Sequence, residues 1–162
     1  QTASGQRLSG YLDAMAAAGL EVPDGLVRQG LFTYRSGIDA AMYLLDQPDP
    51  PSAIFASNDD MAAATVAVAQ RRHLDVPLDL TVCGFDDTPI ASTIWPELTT
   101  IRQPIHDMAQ RALELLAAEL RAERTGKPGI PVHLKLDYSL VRRQSDGPPG
   151  LARNLRSAGR TA

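Results

Sequence analysis

Apolar residues recur at Leu8, Tyr11, Leu12, Met15 and Ala18. That three-and-four spacing predicts an amphipathic helix, opened by Ser4 as N-cap and stopped by Gly19. A second helix is predicted over 36–46, with Ile38, Ala41, Met42 and Leu45 on one face, ended by Pro48, Pro50 and Pro51. A third, over 59–72, is rich in alanine, which permits close packing against a sheet or another helix. The longest runs over Ile105–Arg124, with Met108, Ala112, Leu115, Leu116 and Leu120 inward and Gly126 as its stop. Between the helices lie short apolar runs. Ala53-Ile54-Phe55-Ala56 reads as a strand buried on both faces, and 80–85 as a second buried strand. Weaker strand signals fall at 26–33, 98–102, 132–136 and 139–143. The stretch from Ser145 is rich in Pro, Gly, Arg and Ser and reads as an irregular tail.

Strands that alternate with helices of this length imply an α/β fold, a mostly parallel sheet flanked by helices. Such sheets bind ligands outside the carboxyl ends of their strands. One strand ends at Ser57-Asn58-Asp59 and the next at Phe85-Asp86-Asp87, so both put polar groups at one edge. Asn58 has two readings: helix N-cap, or an amide that donates to and accepts from a ligand hydroxyl. Asp86-Asp87 reads as turn chemistry, as a carboxylate for a polyol, or as part of a metal or phospho-acceptor site. Arg7 is a solvated arginine or a multi-donor clamp on ligand oxygens. Phe32 and Trp95 are core or interface residues, or an apolar platform for a ring.

Composition then narrows the partners. The chain has 162 residues, enough for one domain, and a net charge of −3, which does not suit binding nucleic acid through its own surface. The single cysteine, Cys83, forms no disulfide within one chain and fits a reducing, cytoplasmic setting. There is no apolar run of membrane-spanning length. His73, His106 and His133 share no ligand spacing, so neither a metal site nor a cofactor is expected. No Ser-His-Asp spacing or phosphate loop stands out, and no catalytic residue is expected.

Several segments, in order, resemble the LacI/GalR family of repressors. Residues 4–11, SGQRLSGY, look like that family's helix opening. Residues 51–62, PSAIFASNDDMA, are similar to its strand-to-helix turn, and VCGFDD at 82–87 to its strand end. PELTTIRQP at 96–104 resembles its crossing segment, and LVRRQS at 140–145 its closing strand. The resemblance implies a periplasmic binding protein type I-like C-terminal subdomain, an effector-binding region over 1–145 and a tail over 146–162. It implies that helix 104–125 packs on an N-terminal subdomain outside this sequence. Operator DNA would be bound only through a domain likewise outside it. It places Arg7, Phe32, Asn58, Asp86 and Gln103 at effector-contacting positions. Gln1 and Ala3 stand where purine-responsive members carry Arg and Thr, so a sugar effector is expected. Ile105 replaces a phenylalanine wall found in some members. Repressors that read two half-sites are two-fold dimers. The matching surfaces would be Met61, Ala62 and Thr65 with Ile90, Ile94 and Trp95, and Met108, Leu115 and Leu116 would support further association. Rival readings are a periplasmic sugar-binding protein for transport and a carboxylate metal enzyme using Asp59, Asp60, Asp86 and Asp87.

Overall fold

The computed structural model describes residues 2–126 and 132–147. These residues divide into two compact units, one formed by 2–101 with 140–147, the other by 102–126 with 132–139.

The first unit is built on helix α3 (Asp59–Arg71), whose Ala62, Ala63, Ala64, Val66, Val68 and Ala69 are all buried. Alanine at these positions lets helix α2 (Tyr34–Leu45) come close. A Cβ at Gly37 of α2 would lie 2.7 Å from the Met61 backbone and 2.8 Å from the Ala64 methyl, so only glycine fits that crossing. Strands β1 (Ala53–Phe55) and β2 (Thr81–Cys83) are parallel, with Ile54 opposite Val82. Ile54, Leu80, Val82 and Leu98 join α3 in one core. The Gly84 and Asp86 N–H groups donate to the Thr99 and Ile101 carbonyls, each at 2.9 Å, which carries the next strand, β3 (Thr100–Arg102), alongside. Strand β4 (Ser139–Val141) pairs with β3.

These helices fall where periodicity places them, but the starts of the first two differ. Helix α1 (Ala3–Ala17) is capped by Thr2, whose hydroxyl accepts from the Gly5 N–H, so Ser4 lies inside the helix. α2 starts two residues before the expected Ser36. Thr33 caps it, and Ser36 completes a capping box from the third helical position. A four-residue helix, α4 (Ile90–Thr93), lies in the connection after β2.

Three strand expectations need correction. Residues 27–33 form no strand, and only a 3₁₀ turn at Asp24–Leu26 precedes them. Residues 132–136 are likewise not a strand, and Val132 and Leu134 are about half exposed. In both, β-prone residues find no partner strand among those described, and an unpaired edge is not stable alone. β1 is buried on one face only: Ile54 is buried while Phe55 is exposed.

Ser145 opens no loose tail at its own position. It is fully buried and saturated: its hydroxyl donates to the Val82 carbonyl and accepts from the Thr99 N–H, while its backbone joins Val82 and Glu97. Asp146 follows, accepting from the Thr99 hydroxyl and Arg142. The rest of the expected tail, 148–162, lies outside the described residues.

The second unit contains helix α5 (Ile105–Arg124), at the bounds the sequence predicts. No residue of α5 is buried. Met108, Leu113, Leu116 and Leu120 all stand exposed. Among the described residues no helix is long and apolar enough to cross a membrane.

Candidate functional site

Arg7 sits one turn into α1 and reaches the carboxyl ends of both parallel strands. Its guanidinium donates to the Ser57 carbonyl, just past β1, and to the Asp86 carboxylate at 3.2 Å, just past β2. It stacks over the Phe85 ring at 3.9 Å and faces the Phe32 ring at 5.8 Å. An arginine held by a carboxylate and flanked by aromatic faces has its planar fork oriented in advance, with little side-chain entropy left to lose on binding. Arg7 and Asp86 keep partial access to solvent.

The backbone around this cluster is strained. Phe32, Asp86 and Asp87 have φ of +57°, +112° and +56°, a region that side-chain-bearing residues rarely adopt. Such positions cost about 1–3 kcal/mol each and persist where the surroundings hold them. Those surroundings are visible. The Asn58 amide donates to the Phe32 carbonyl at 3.0 Å, and its oxygen accepts from the Met61 N–H at 3.1 Å as the N-cap of α3. Arg143, mostly buried, donates to the Asp87 carboxylate at 2.6 Å and to the Leu98 carbonyl at 2.8 Å. Each of the adjacent carboxylates therefore has its own arginine, which offsets their mutual repulsion.

Four expected residues meet here: Arg7, Asp86, Phe32 and Asn58. Asn58 meets the others through structure: it caps a helix and pins a backbone carbonyl, the first of its two readings. Gln103 lies in the 102–139 unit, where its carbonyl accepts the Ile105 N–H at 2.9 Å. Sequence reasoning missed Phe85, Ser57 and Arg143. Phe85 was detectable as a scarce aromatic directly before the aspartate pair. Arg143 was not, because its tie to Asp87 spans 56 positions of chain.

A cavity of about 400 Å³ opens beside the cluster, between α1 on one side and α2 and β1 on the other. Leu8, Tyr11, Leu44, Ile54 and Phe55 are among its walls, and Arg7 and Phe32 stand at both cavity and cluster. Asp86 and Asn58 do not line it. The cavity is mainly apolar.

The four carboxylates of the metal alternative do not converge. Asp86 and Asp87 are bound to separate arginines, Asp59 accepts from Thr88 and Thr100, and among the described residues no group of three or more metal-binding side chains gathers.

The expected dimer residues divide. Met61, Ala62 and Thr65 are buried within their own unit, because α3 is its central helix, and they present no surface to a partner. Ile90 and Ile94 are half-buried against the core. Trp95 is 72% exposed.

Residues 1–145 match the periplasmic binding protein-like domain family. The chain is 38% identical over 133 residues to catabolite control protein A of Priestia megaterium, covering 82% of this chain and 40% of that protein. It is 42% identical over 110 residues to the ribose operon repressor of Escherichia coli K12, covering 68% and 33%. Among solved structures, a transcriptional regulator CelR–cellobiose complex superposes with a TM-score of 0.78 at 38% identity, over 86% of this chain and 41% of that one. A LacI-family regulatory protein from Chloroflexus aggregans gives 0.75 at 36% identity, over 87% and 50%. The chain thus spans between 33% and 40% of the length of these curated relatives.

Proposed function

Since the chain belongs to the periplasmic binding protein-like domain family, in its LacI-type repressor branch, we propose that it is the effector-sensing part of a cytoplasmic, sugar-responsive repressor. One observation carries this reading: Arg7 and Asp86 are paired at the carboxyl ends of two parallel strands, with the Arg7 guanidinium against the rings of Phe85 and Phe32. A sugar offers alternating hydroxyls that suit an arginine–aspartate pair, and apolar ring faces that suit aromatic walls. A relative named as a ribose operon repressor and a neighbour solved with cellobiose support a sugar as the ligand class.

The effector region proposed is 1–145, with the contacts drawn from the Arg7, Phe32 and Asp86 cluster. The relatives are transcriptional regulators rather than enzymes or transport proteins, which favours repression over both rivals. Operator binding belongs to sequence beyond this chain, and the working assembly is a homodimer using the Trp95 surface.

The test is calorimetry of the chain with D-ribose and cellobiose, beside Arg7→Ala and Asp86→Ala. This chain supplies part of an enclosure, and small-ligand sites usually bury most of the ligand. Weak, millimolar binding that both substitutions abolish is expected. Binding indifferent to both substitutions overturns the reading, and micromolar binding counts against the chain supplying only part of the enclosure.

A further inference from the structure

Asp59 is fully buried, with no arginine or lysine among the partners it shows. One carboxylate oxygen accepts from the Thr88 N–H at 2.7 Å and the Thr88 hydroxyl at 3.2 Å. The other accepts from the Thr100 hydroxyl at 2.6 Å. A buried carboxylate is costly unless its lone pairs are filled. Here neutral donors fill them, and Asp59 also lies in the first turn of α3, where the helix dipole favours negative charge.

Its placement joins three elements. Asp59 follows Asn58, which pins Phe32. It grips Thr88, two residues past Asp86 and next to the strained Asp87. It ties both to β3 through Thr100. The backbone has been shaped around it: a Cβ at Gly84 would lie 2.4 Å from the Asp59 carboxylate oxygen and 3.2 Å from the Ala62 methyl. Gly84 is therefore required by the carboxylate packed against it. Its φ is not in the left-handed region.

We infer that Asp59 is the positioning residue of this site: from beneath the 86–88 turn it fixes the strained backbone that aims Asp86 at Arg7. It touches neither Arg7 nor a ligand. The inference goes deeper into the sugar-site reading and rests on it only for affinity, since the Arg7–Asp86 geometry can be read without any sugar.

The test compares Asp59→Ala, Asp59→Asn and Thr100→Val in the 162-residue chain. Asparagine keeps the shape and an acceptor for Thr88, and a turned Thr100 hydroxyl can accept from its amide. Alanine leaves the half-buried Thr88 N–H without its carboxylate partner. The readout is the guanidinium nitrogen and proton resonances of Arg7, with melting temperature measured alongside. In the unsubstituted chain these resonances should be shifted and well dispersed, as for a held, paired arginine. Asp59→Ala should collapse them to free-arginine positions at temperatures where the chain is still folded, and Asp59→Asn should restore them. Thr100→Val should shift them part of the way. It decides alone if the alanine variant does not fold. Where D-ribose or cellobiose binds, affinity should fall roughly tenfold or more in Asp59→Ala, the scale of one ligand hydrogen bond to a charged group lost when Arg7 and Asp86 are no longer held. Arg7 resonances unchanged in a folded variant of lowered melting temperature would show a purely structural role and overturn the inference. So would free-arginine resonances in the unsubstituted chain. Failure of both sugars to bind, with Arg7 still responding, overturns the sugar reading and leaves the positioning role standing.

Discussion

At the scale of single residues, the site's polar side chains have double duties. Asn58 shows this most plainly. One amide spends its oxygen capping α3 and its nitrogen holding the Phe32 carbonyl. Asn58→Ala removes both, and loss of an N-cap alone costs about 0.5–2 kcal/mol. Urea unfolding should show at least that loss, together with a changed Phe32 environment by NMR. A midpoint equal to that of the parent chain would mean the amide carries no load. Residue identities at the strand ends were legible in sequence because a parallel sheet sends its carboxyl ends to one edge. What each side chain holds was less legible. The links from Asp59 to Thr88 and Thr100, and from Asp87 to Arg143, join residues 29 to 56 positions apart. No local pattern encodes such a pairing.

At the scale of elements, helices were readable and isolated strands were not. A helix satisfies its own backbone, so apolar spacing nearly suffices, and α5 starts and stops where its pattern does. A strand needs a neighbour. Residues 27–33 and 132–136 carry strand-like composition without one, and stay irregular. The opposite error concerned Ser145 and Asp146: polar residues in a Pro/Gly-rich context read as tail, yet they fasten β2 to the segment entering β3. Asp146 gives this fastening a pH signature. Its partial burial pushes its carboxyl up, but hydrogen bonds from Thr99 and Arg142 and the Arg142 charge outweigh that and hold it below the usual carboxylate range. A depressed folded-state value stabilises the fold above the unfolded value, near pH 4. That contribution is lost as pH falls through the folded value. The stability difference between the chain and Asp146→Asn should therefore be full at neutral pH and shrink steadily below about pH 4. A difference that does not vary with pH would remove Asp146 from the account.

At the scale of the whole molecule, apolar surface remains uncovered. Trp95 is 72% exposed and is the chain's one tryptophan, so its fluorescence reports on its own surroundings. A proposed dimer would draw on Ile90, Ile94 and Trp95 and not on Met61, Ala62 and Thr65, which are buried in the chain's own unit. Emission should shift to the blue as concentration rises into the micromolar range, in step with a dimer seen by sedimentation. A monomer with concentration-independent emission would rule out the surface. The central claim concerns where a sugar binds. Titrating isotope-labelled chain with a panel of pentoses, hexoses and cellobiose, and following every backbone amide and the arginine side chains, tests it most directly. Millimolar, saturable shifts gathered at Arg7, Phe32, Phe85 and Asp86, and absent in Arg7→Ala, are expected. Saturable shifts gathered instead on α5 or around Trp95, or a full panel that leaves these four residues unmoved, would contradict it.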